Sequence, residues 1–153
     1  MRTIDMIVIS VIAIVIAVTA ITSIMTSPES NQLQNEVKFL APASEPELVD
    51  TFSLPIGKVV VNEHVLIQSE ITNNQDVRQK FVYIVKVNDG DGVTIALSWM
   101  GSEIPPNEKL NAAQSWRPVL PGEYDIVVFV WDSIDGATIL SPARKISVEV
   151  FPL

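Results

Sequence analysis

Residues 116–131 read WRPVLPGEYDIVVFVW and carry the clearest fold signal in the chain. The Pro121-Gly122 pair is a turn signal, and β-branched and aromatic residues follow it from Tyr124 to Trp131. This composition is typical of a β-strand that is buried on at least one face. The run is too short and too β-branched to favour a helix. We therefore expect the chain from about Leu48 onward to form strands that pair beside this one.

Similar runs, separated by turn residues, recur over residues 48–153 and predict an all-β domain without helices. About seven strands are expected, with Lys58–Val61 as a short additional piece and Lys109–Arg117 on the opposite sheet. The remaining predicted strands are Leu48–Leu54, His64–Thr72, Phe81–Asn88, Val93–Met100, Glu123–Asp132 and Lys145–Phe151.

The composition excludes several function classes. The chain has 153 residues, no cysteine, one histidine (His64) and a formal net charge of −8. The acidic balance argues against nucleic acid as a partner. Without cysteine there are no disulfides, thiolate metal sites or cysteine nucleophiles, and one imidazole leaves little from which to build a metal cluster or a catalytic triad. The inventory predicts a protein that is not an enzyme and uses no cofactor or metal.

Residues 6–25, MIVISVIAIVIAVTAITSIM, are uncharged and almost continuously apolar. A helix of this length spans roughly 30 Å, the hydrocarbon thickness of a bilayer. We expect a transmembrane helix within an anchor formed by residues 1–25; a buried helix of a soluble protein is the alternative. Arg2 precedes the segment and acidic residues follow it, which predicts a cytoplasmic N-terminus and an extracytoplasmic C-terminal domain at the cell membrane. An uncleaved anchor is favoured over a signal peptide cut near Val18-Thr19-Ala20.

The stretch IDMIVISVIAIVIA at residues 4–17 also resembles the start of a mature type IV pilin, in which an acidic residue precedes a similar apolar helix. The resemblance implies that Asp5 stands in place of the pilin glutamate, which neutralises the terminal amine of a neighbouring subunit. The leader lacks the small residue after which a prepilin peptidase cuts. A filament subunit that assembles through this helix is therefore the alternative function.

Residues 26–47 form the predicted linker between the anchor and the β domain. Leu33, Val37 and Leu40 recur at helical spacing and give a narrow apolar stripe. We interpret the stripe as a solvated extension of the membrane helix, because so short a helix is marginal alone; a stalk that packs on a partner or on its own copy is the alternative. Pro42 and Pro46 are expected to stiffen the spacer that follows.

The Pro121-Gly122-Glu123-Tyr124 sequence resembles the entry to the sixth strand of fibronectin-III and CARDB-type modules. The resemblance implies that Tyr124 is a structural corner residue whose hydroxyl bonds back to the backbone. The wider pattern, ITNNQDVRQKFVYIVKVNDGDGVTIALSW at 71–99 and QSWRPVLPGEYDIVVFVWDS at 114–133, resembles Ig-like modules of archaeal membrane-anchored surface proteins. This resemblance covers roughly residues 58–151 and implies an Ig-like β-sandwich at the cell surface.

A partner-binding surface is predicted on the central strands. If Tyr124 and the alternate residues after it face the core, the residues between them face outward, together with two residues of the neighbouring strand. The expected outward set is Val82, Ile84, Val127, Phe129 and Trp131. An apolar outer face often marks an interface. The alternative is that the linker or the segment at 48–54 covers it.

Three further candidates are assigned structural roles. The acidic, glycine-rich loop at 88–92 has oxygen ligands for calcium but no completing glutamate, so a hairpin turn is favoured. His64 lies near a strand start, where a surface or turn role is expected. Trp99, Trp116 and Trp131 form either an aromatic ligand site or, as we expect, packing and corner positions.

These observations predict a membrane-anchored, extracytoplasmic binding or structural protein, an accessory subunit or adaptor. Its expected partners are the lipid bilayer, through residues 6–25, and other membrane or cell-surface proteins. A homo-oligomer is an open alternative.

Overall fold

The computed structural model describes residues 38–136 and 138–153. Within them the chain is all-β, as predicted, and contains no helix. It forms eight strands: β1 (Glu47–Val49), β2 (Val59–Val60), β3 (Val65–Thr72), β4 (Gln79–Asp89), β5 (Thr94–Ile104), β6 (Lys109–Trp116), β7 (Gly122–Trp131) and β8 (Arg144–Phe151).

The strands form two sheets. One has three strands in the order β1-β3-β6, and the other has five in the order β2-β8-β7-β4-β5. Neighbouring strands are antiparallel except for β2, which runs parallel to β8. Strand β7 therefore lies inside the five-stranded sheet between β8 and β4, and β6 lies in the other sheet, as the sequence predicts for Lys109–Arg117.

The core lies between the sheets because strands β3, β4 and β7 bury alternate side chains. On β7 these are Tyr124, Ile126, Val128 and Val130; on β3 they are Val65, Ile67, Ser69 and Ile71; on β4 they are Phe81, Tyr83, Val85 and Val87. Burying one such aliphatic or aromatic side chain contributes roughly 1.5–3 kcal/mol. The period of two read from the sequence thus places the core correctly.

One polar contact joins the sheets inside the core. The hydroxyl of Tyr83 on β4 lies 3.2 Å from Oγ of Ser69 and 3.3 Å from the carbonyl oxygen of Ile67, both on β3. Burial raises the pKa of Tyr83 to about 12, although the hydrogen bond with Ser69 acts in the opposite direction. A neutral, bonded tyrosine is therefore part of the core packing.

The predicted strand Leu48–Leu54 is wrong in its second half. Strand β1 ends at Val49, and the chain then turns. Oδ1 of Asp50 accepts hydrogen bonds from the backbone amides of Phe52 (2.8 Å) and Leu54 (2.9 Å). Ser53 has a φ of 61°. A side chain that accepts hydrogen bonds from the backbone amides just after it competes with strand pairing. The composition of this segment does not reveal that competition.

Residues 38–47 run along the sandwich, ahead of the domain start predicted at Leu48. Ala41 and Ala43 are buried in the core. Ala43 forms an isolated bridge with Ile71, and the amide of Ala41 donates to the carbonyl of Leu140 at 3.0 Å. The apolar side of this segment belongs to the packed β unit.

The predicted membrane segment 6–25 and residues 26–37 of the predicted linker lie outside the described residues. Among the residues that are described, no helix is long and apolar enough to cross a bilayer.

Candidate interaction surface

The side of the five-stranded sheet that faces away from the core carries apolar residues on three neighbouring strands, with Lys86 of β4 among them. On β7 the side chains between the core positions are Val127, Phe129 and Trp131, all half-buried. Antiparallel pairing places Val82 of β4 opposite Trp131 and Ile84 opposite Phe129. Directly opposed residues share a face. The outward set predicted from the sequence is therefore brought together on one side of the sheet.

The next strand extends this surface. In the pairing of β4 with β5, Trp99 lies opposite Ile84, and Leu97 lies opposite Lys86. Trp99 and Leu97 are each 57% exposed. We use the name outer apolar face for Val82, Ile84, Leu97, Trp99, Val127, Phe129 and Trp131.

Leu97 and Trp99 were missing from the predicted surface, although the sequence contains the signal. The alternation of β5 is readable, but its phase depends on the register of the hairpin with β4. That register includes an irregularity: Val87 pairs with Ala96 while Asn88 pairs with Thr94. A bulge changes which side chains share a face, and sequence alternation alone does not locate it.

The members of the outer apolar face differ in accessibility. Ile84 is only 6% exposed, so it forms the floor of the surface rather than a contact residue. The rings of Phe129 and Trp131 lie 6.1 Å apart at an interplanar angle of 52°, a spacing typical of favourable aromatic pairs. Trp99 is a large side chain that is 57% exposed, and large aromatic side chains dominate protein interfaces.

Charges border this face along β7 and β8. Nζ of Lys145 lies 2.7 Å from Oδ2 of Asp125, and Lys145 is paired in register with Val127. The hydrogen bonds from Lys145 and from Ser147 hold the pKa of Asp125 below its ordinary value. Farther along, Glu123 faces Glu149 across the two strands. The face thus passes from an apolar half into an acidic half.

The acidic loop at 88–92 is a hairpin turn. Oδ1 of Asp89 accepts hydrogen bonds from the amides of Asp91 (3.1 Å) and Val93 (2.9 Å). Gly92 has a φ of 80°, in the left-handed region that glycine tolerates. Among the described residues, no group of three His, Cys, Asp or Glu side chains is arranged to hold a metal ion. The carboxylate of Asp89 serves the turn.

The remaining aromatic candidates are separate from one another. Trp116 is buried on β6 and packs edge-on against Tyr124, with ring centroids 5.3 Å apart. Trp99 and Trp131 lie on the outer apolar face, so the three tryptophans do not share one site. The hydroxyl of Tyr124 donates to the carbonyl of Leu120 at 2.8 Å, which is the bond of a tyrosine corner. His64 is exposed just before β3.

No protein-family model matches the chain, and no curated protein matches it in sequence. Solved structures resemble it in fold. A CARDB domain from Pyrococcus furiosus, crystallised in complex with di-metal ions, is 18% identical, with a TM-score of 0.55 over 76% of this chain and 97% of that domain.

Two other solved structures share the architecture. The C-terminal domain of wzt is 10% identical, with a TM-score of 0.59 over 73% of this chain and 74% of that one. A β-glucosidase from Listeria innocua, in complex with glucose, is 14% identical, with a TM-score of 0.53; the match covers 74% of this chain but 16% of the glucosidase. At such identities the likeness shows the fold alone. The described part of the chain is a CARDB-like, Ig-like β-sandwich.

Proposed function

We propose that this protein is a membrane-anchored adaptor or accessory subunit of an archaeal cell surface, and that it binds other membrane or surface proteins through the outer apolar face. The helix predicted at residues 6–25 anchors it in the bilayer, with its N-terminus in the cytoplasm and the sandwich outside. The protein is not an enzyme and uses no cofactor. The archaeal assignment rests on the resemblance of residues 71–99 and 114–133 to archaeal surface modules.

One observation carries the binding role. Trp99 and Leu97 stand more than half exposed on a sheet face that already holds Val82, Phe129 and Trp131. Folding requires only the inner side of a sheet to be apolar, and exposed tryptophan costs free energy in water. A protein partner that covers this face would recover that cost and would find the aromatic residues typical of interface centres.

Neither the segment at 48–54 nor the described part of the linker covers the exposed residues. Strand β1 pairs with β3 in the other sheet. The described part of the linker bonds to β3 and to Leu140, since the amide of Ser44 donates to the carbonyl of Glu70 and that of Ala41 to Leu140. Neither segment lies across β5 in the described chain, which supports an external partner.

The test is purification of the full-length protein in mild detergent, followed by identification of the proteins that come with it. Phe129→Asp places a carboxylate within the outer apolar face, and we expect partner retention to fall at least about tenfold, as for an interface hot spot. Ser115→Asp adds the same charge to an exposed position on β6, in the other sheet, and should leave retention unchanged.

Phe129 is half-buried, so a second variant protects the test against simple unfolding. Trp99→Ser removes the most accessible ring of the outer apolar face while leaving the core side of β5 intact. Normal retention by a folded Trp99→Ser variant, together with normal retention by Phe129→Asp, would contradict the proposal. Recovery of the protein as a sheared filament that lacks its first residues would instead support the pilin-like alternative.

A further inference from the structure

The two sheets end in four edge strands of unequal length. Strand β2 has two residues and β1 has three, whereas β6 has eight and β5 has eleven. In the described chain β5 pairs with β4 alone, so its other side presents backbone amides and carbonyls without a strand neighbour. Such an edge is a template for pairing with another strand.

Natural proteins usually protect a long edge with lysine, proline, a bulge or an inward-pointing charge. From Thr94 to Ser102, strand β5 contains no proline and no charged residue. Its one acid, Glu103, is engaged with Arg78 at 3.1 Å. The irregularity in the pairing with β4 lies at the start of the strand, and from Ala96 to Ile104 the ladder is regular. The longest edge is therefore the least protected one.

The chemistry of this edge identifies the strand that fits it. A partner strand needs an uncharged backbone segment of similar length whose apolar side chains alternate in phase with Leu97 and Trp99. Strand β5 of a second copy meets this requirement. In an antiparallel pair about a two-fold axis at Ser98, Leu97 of each copy lies opposite Trp99 of the other, and Glu103 lies opposite Val93. No like charges are opposed.

Charge near this edge also permits self-association. The chain carries a formal net charge of −8, but Glu123, Asp125 and Glu149 of the five-stranded sheet lie on β7 and β8, where Glu123 faces Glu149. Beside β5 the outward positions of β4 include Lys86, opposite Leu97. Two copies meeting along β5 thus keep their acidic halves at the far sides of the joined sheet.

We propose that two copies of this chain pair antiparallel along β5, so that five strands from each copy form one continuous sheet and the two outer apolar faces become a single larger surface. This inference rests on the proposed function and deepens it, because pairing along β5 joins two outer apolar faces into one surface for a partner. The nine regular residues span roughly 30 Å along the edge.

A cysteine scan reads the pairing directly, because the natural chain has no cysteine. Six full-length variants, each with a single cysteine at one position from 96 to 101, would be purified in mild detergent and oxidised gently. Opposed residues in antiparallel strands have Cβ atoms about 4.5–5.5 Å apart, close to disulfide distance. We expect cross-linked dimers to peak at one or two adjacent positions near Ser98. Uniform yields across the six positions would overturn the proposal.

A charge variant supplies the second measurement. Leu97→Lys adds to β5 the residue that natural edges use against pairing, and we expect the dimer dissociation constant, measured by analytical ultracentrifugation, to rise at least about tenfold. Ser115→Lys adds the same charge to the β6 edge and should leave it unchanged. A monomeric natural protein, or a dimer sensitive to Ser115→Lys alone, would overturn the inference.

The two proposals fail in distinguishable ways. If the natural protein is a monomer and Phe129→Asp still releases a different bound protein, the adaptor role is supported and the β5 pairing is overturned. A dimer that cross-links through β5 but retains no other protein supports the pairing and removes the adaptor role.

Discussion

The two sheets share one core but present opposite kinds of surface to solvent. On the three-stranded sheet the outward residues of β3 and β6 are mostly polar: Leu66, Gln68, Glu70 and Thr72 lie opposite Ser115, Ala113, Asn111 and Lys109. Nζ of Lys109 lies 2.6 Å from Oε1 of Glu70 across this face. On the five-stranded sheet the corresponding positions hold the outer apolar face.

This difference separates the residues that folding needs from those it does not. Both sheets bury an alternating apolar set, and that alone makes a sandwich. The three-stranded sheet shows that a polar outer side is compatible with the same fold. Folding therefore does not require the tryptophan, phenylalanine and leucine residues on the other outer side, and we propose that an interaction explains them.

The largest expected effect is a difference in stability loss between substitutions of two aromatic residues on opposite sides of the five-stranded sheet. Phe81 is 1% exposed and faces the core, so Phe81→Ala should lower the free energy of unfolding by about 3–5 kcal/mol. Trp99→Ala should lower it by less than about 1 kcal/mol, since its ring is largely in water. Urea unfolding measures both. Similar losses of unfolding free energy in the two variants would mean that the outer apolar face contributes to folding as the core does. That result would contradict the proposed difference between the two sides of the sheet.

Burial of the Tyr83 hydroxyl predicts a dependence of stability on alkaline pH. The pKa of Tyr83 is raised from 10.0 to about 12, so the unfolded chain releases this proton before the folded chain does. The contribution of Tyr83 to the free energy of unfolding is complete below pH 10. It is lost as the pH rises towards 12, and the total loss is about 3 kcal/mol. Tyr83→Phe should therefore show a shallower alkaline loss in pH-dependent thermal unfolding. Parallel profiles for the variant and the natural protein would contradict this.

The hairpin at 88–92 predicts a smaller effect. Asp89→Ala removes the acceptor of two backbone amides and should cost about 1 kcal/mol. Asp89→Asn keeps an acceptor oxygen and should cost less. Calcium should shift the melting temperature of none of these proteins, because the carboxylate serves the turn. A calcium-dependent rise in the natural protein that Asp89→Asn abolishes would restore the metal reading.

The smallest effect concerns the border between the apolar and acidic halves. Lys145→Ala removes the strongest of the contacts that lower the pKa of Asp125, so that pKa should rise towards its ordinary value in an NMR titration. The stabilisation from Asp125 is present above its unfolded pKa and is lost as the pH falls through the lower folded value. Ser147→Ala should act in the same direction but more weakly. An unchanged titration would contradict the observed pairing.

Much of the sandwich is readable from the chain, and the exceptions have local causes. The alternation over Val65–Thr72 and Gly122–Trp131 assigns the buried side correctly because a strand exposes its two sides with a period of two. Strand β1 stops early because Asp50 caps the following turn. The polar and apolar residues of that turn alternate as they would in a strand, so the sequence alone predicts a longer strand. The buried Ala41 and Ala43 were assigned to a linker because small residues give no periodic signal.

The sequence by itself determined the all-β class, the inward set of β7 and the outward positions of Val127, Phe129 and Trp131, since these follow from local alternation. Only the tertiary structure decided that Leu97 and Trp99 join them, that Ile84 is buried beneath them and that β5 has β4 as its single strand neighbour in the described chain. Strand order and register are non-local: they depend on which strands pair and where a bulge shifts the pairing, and no single stretch of chain contains that information.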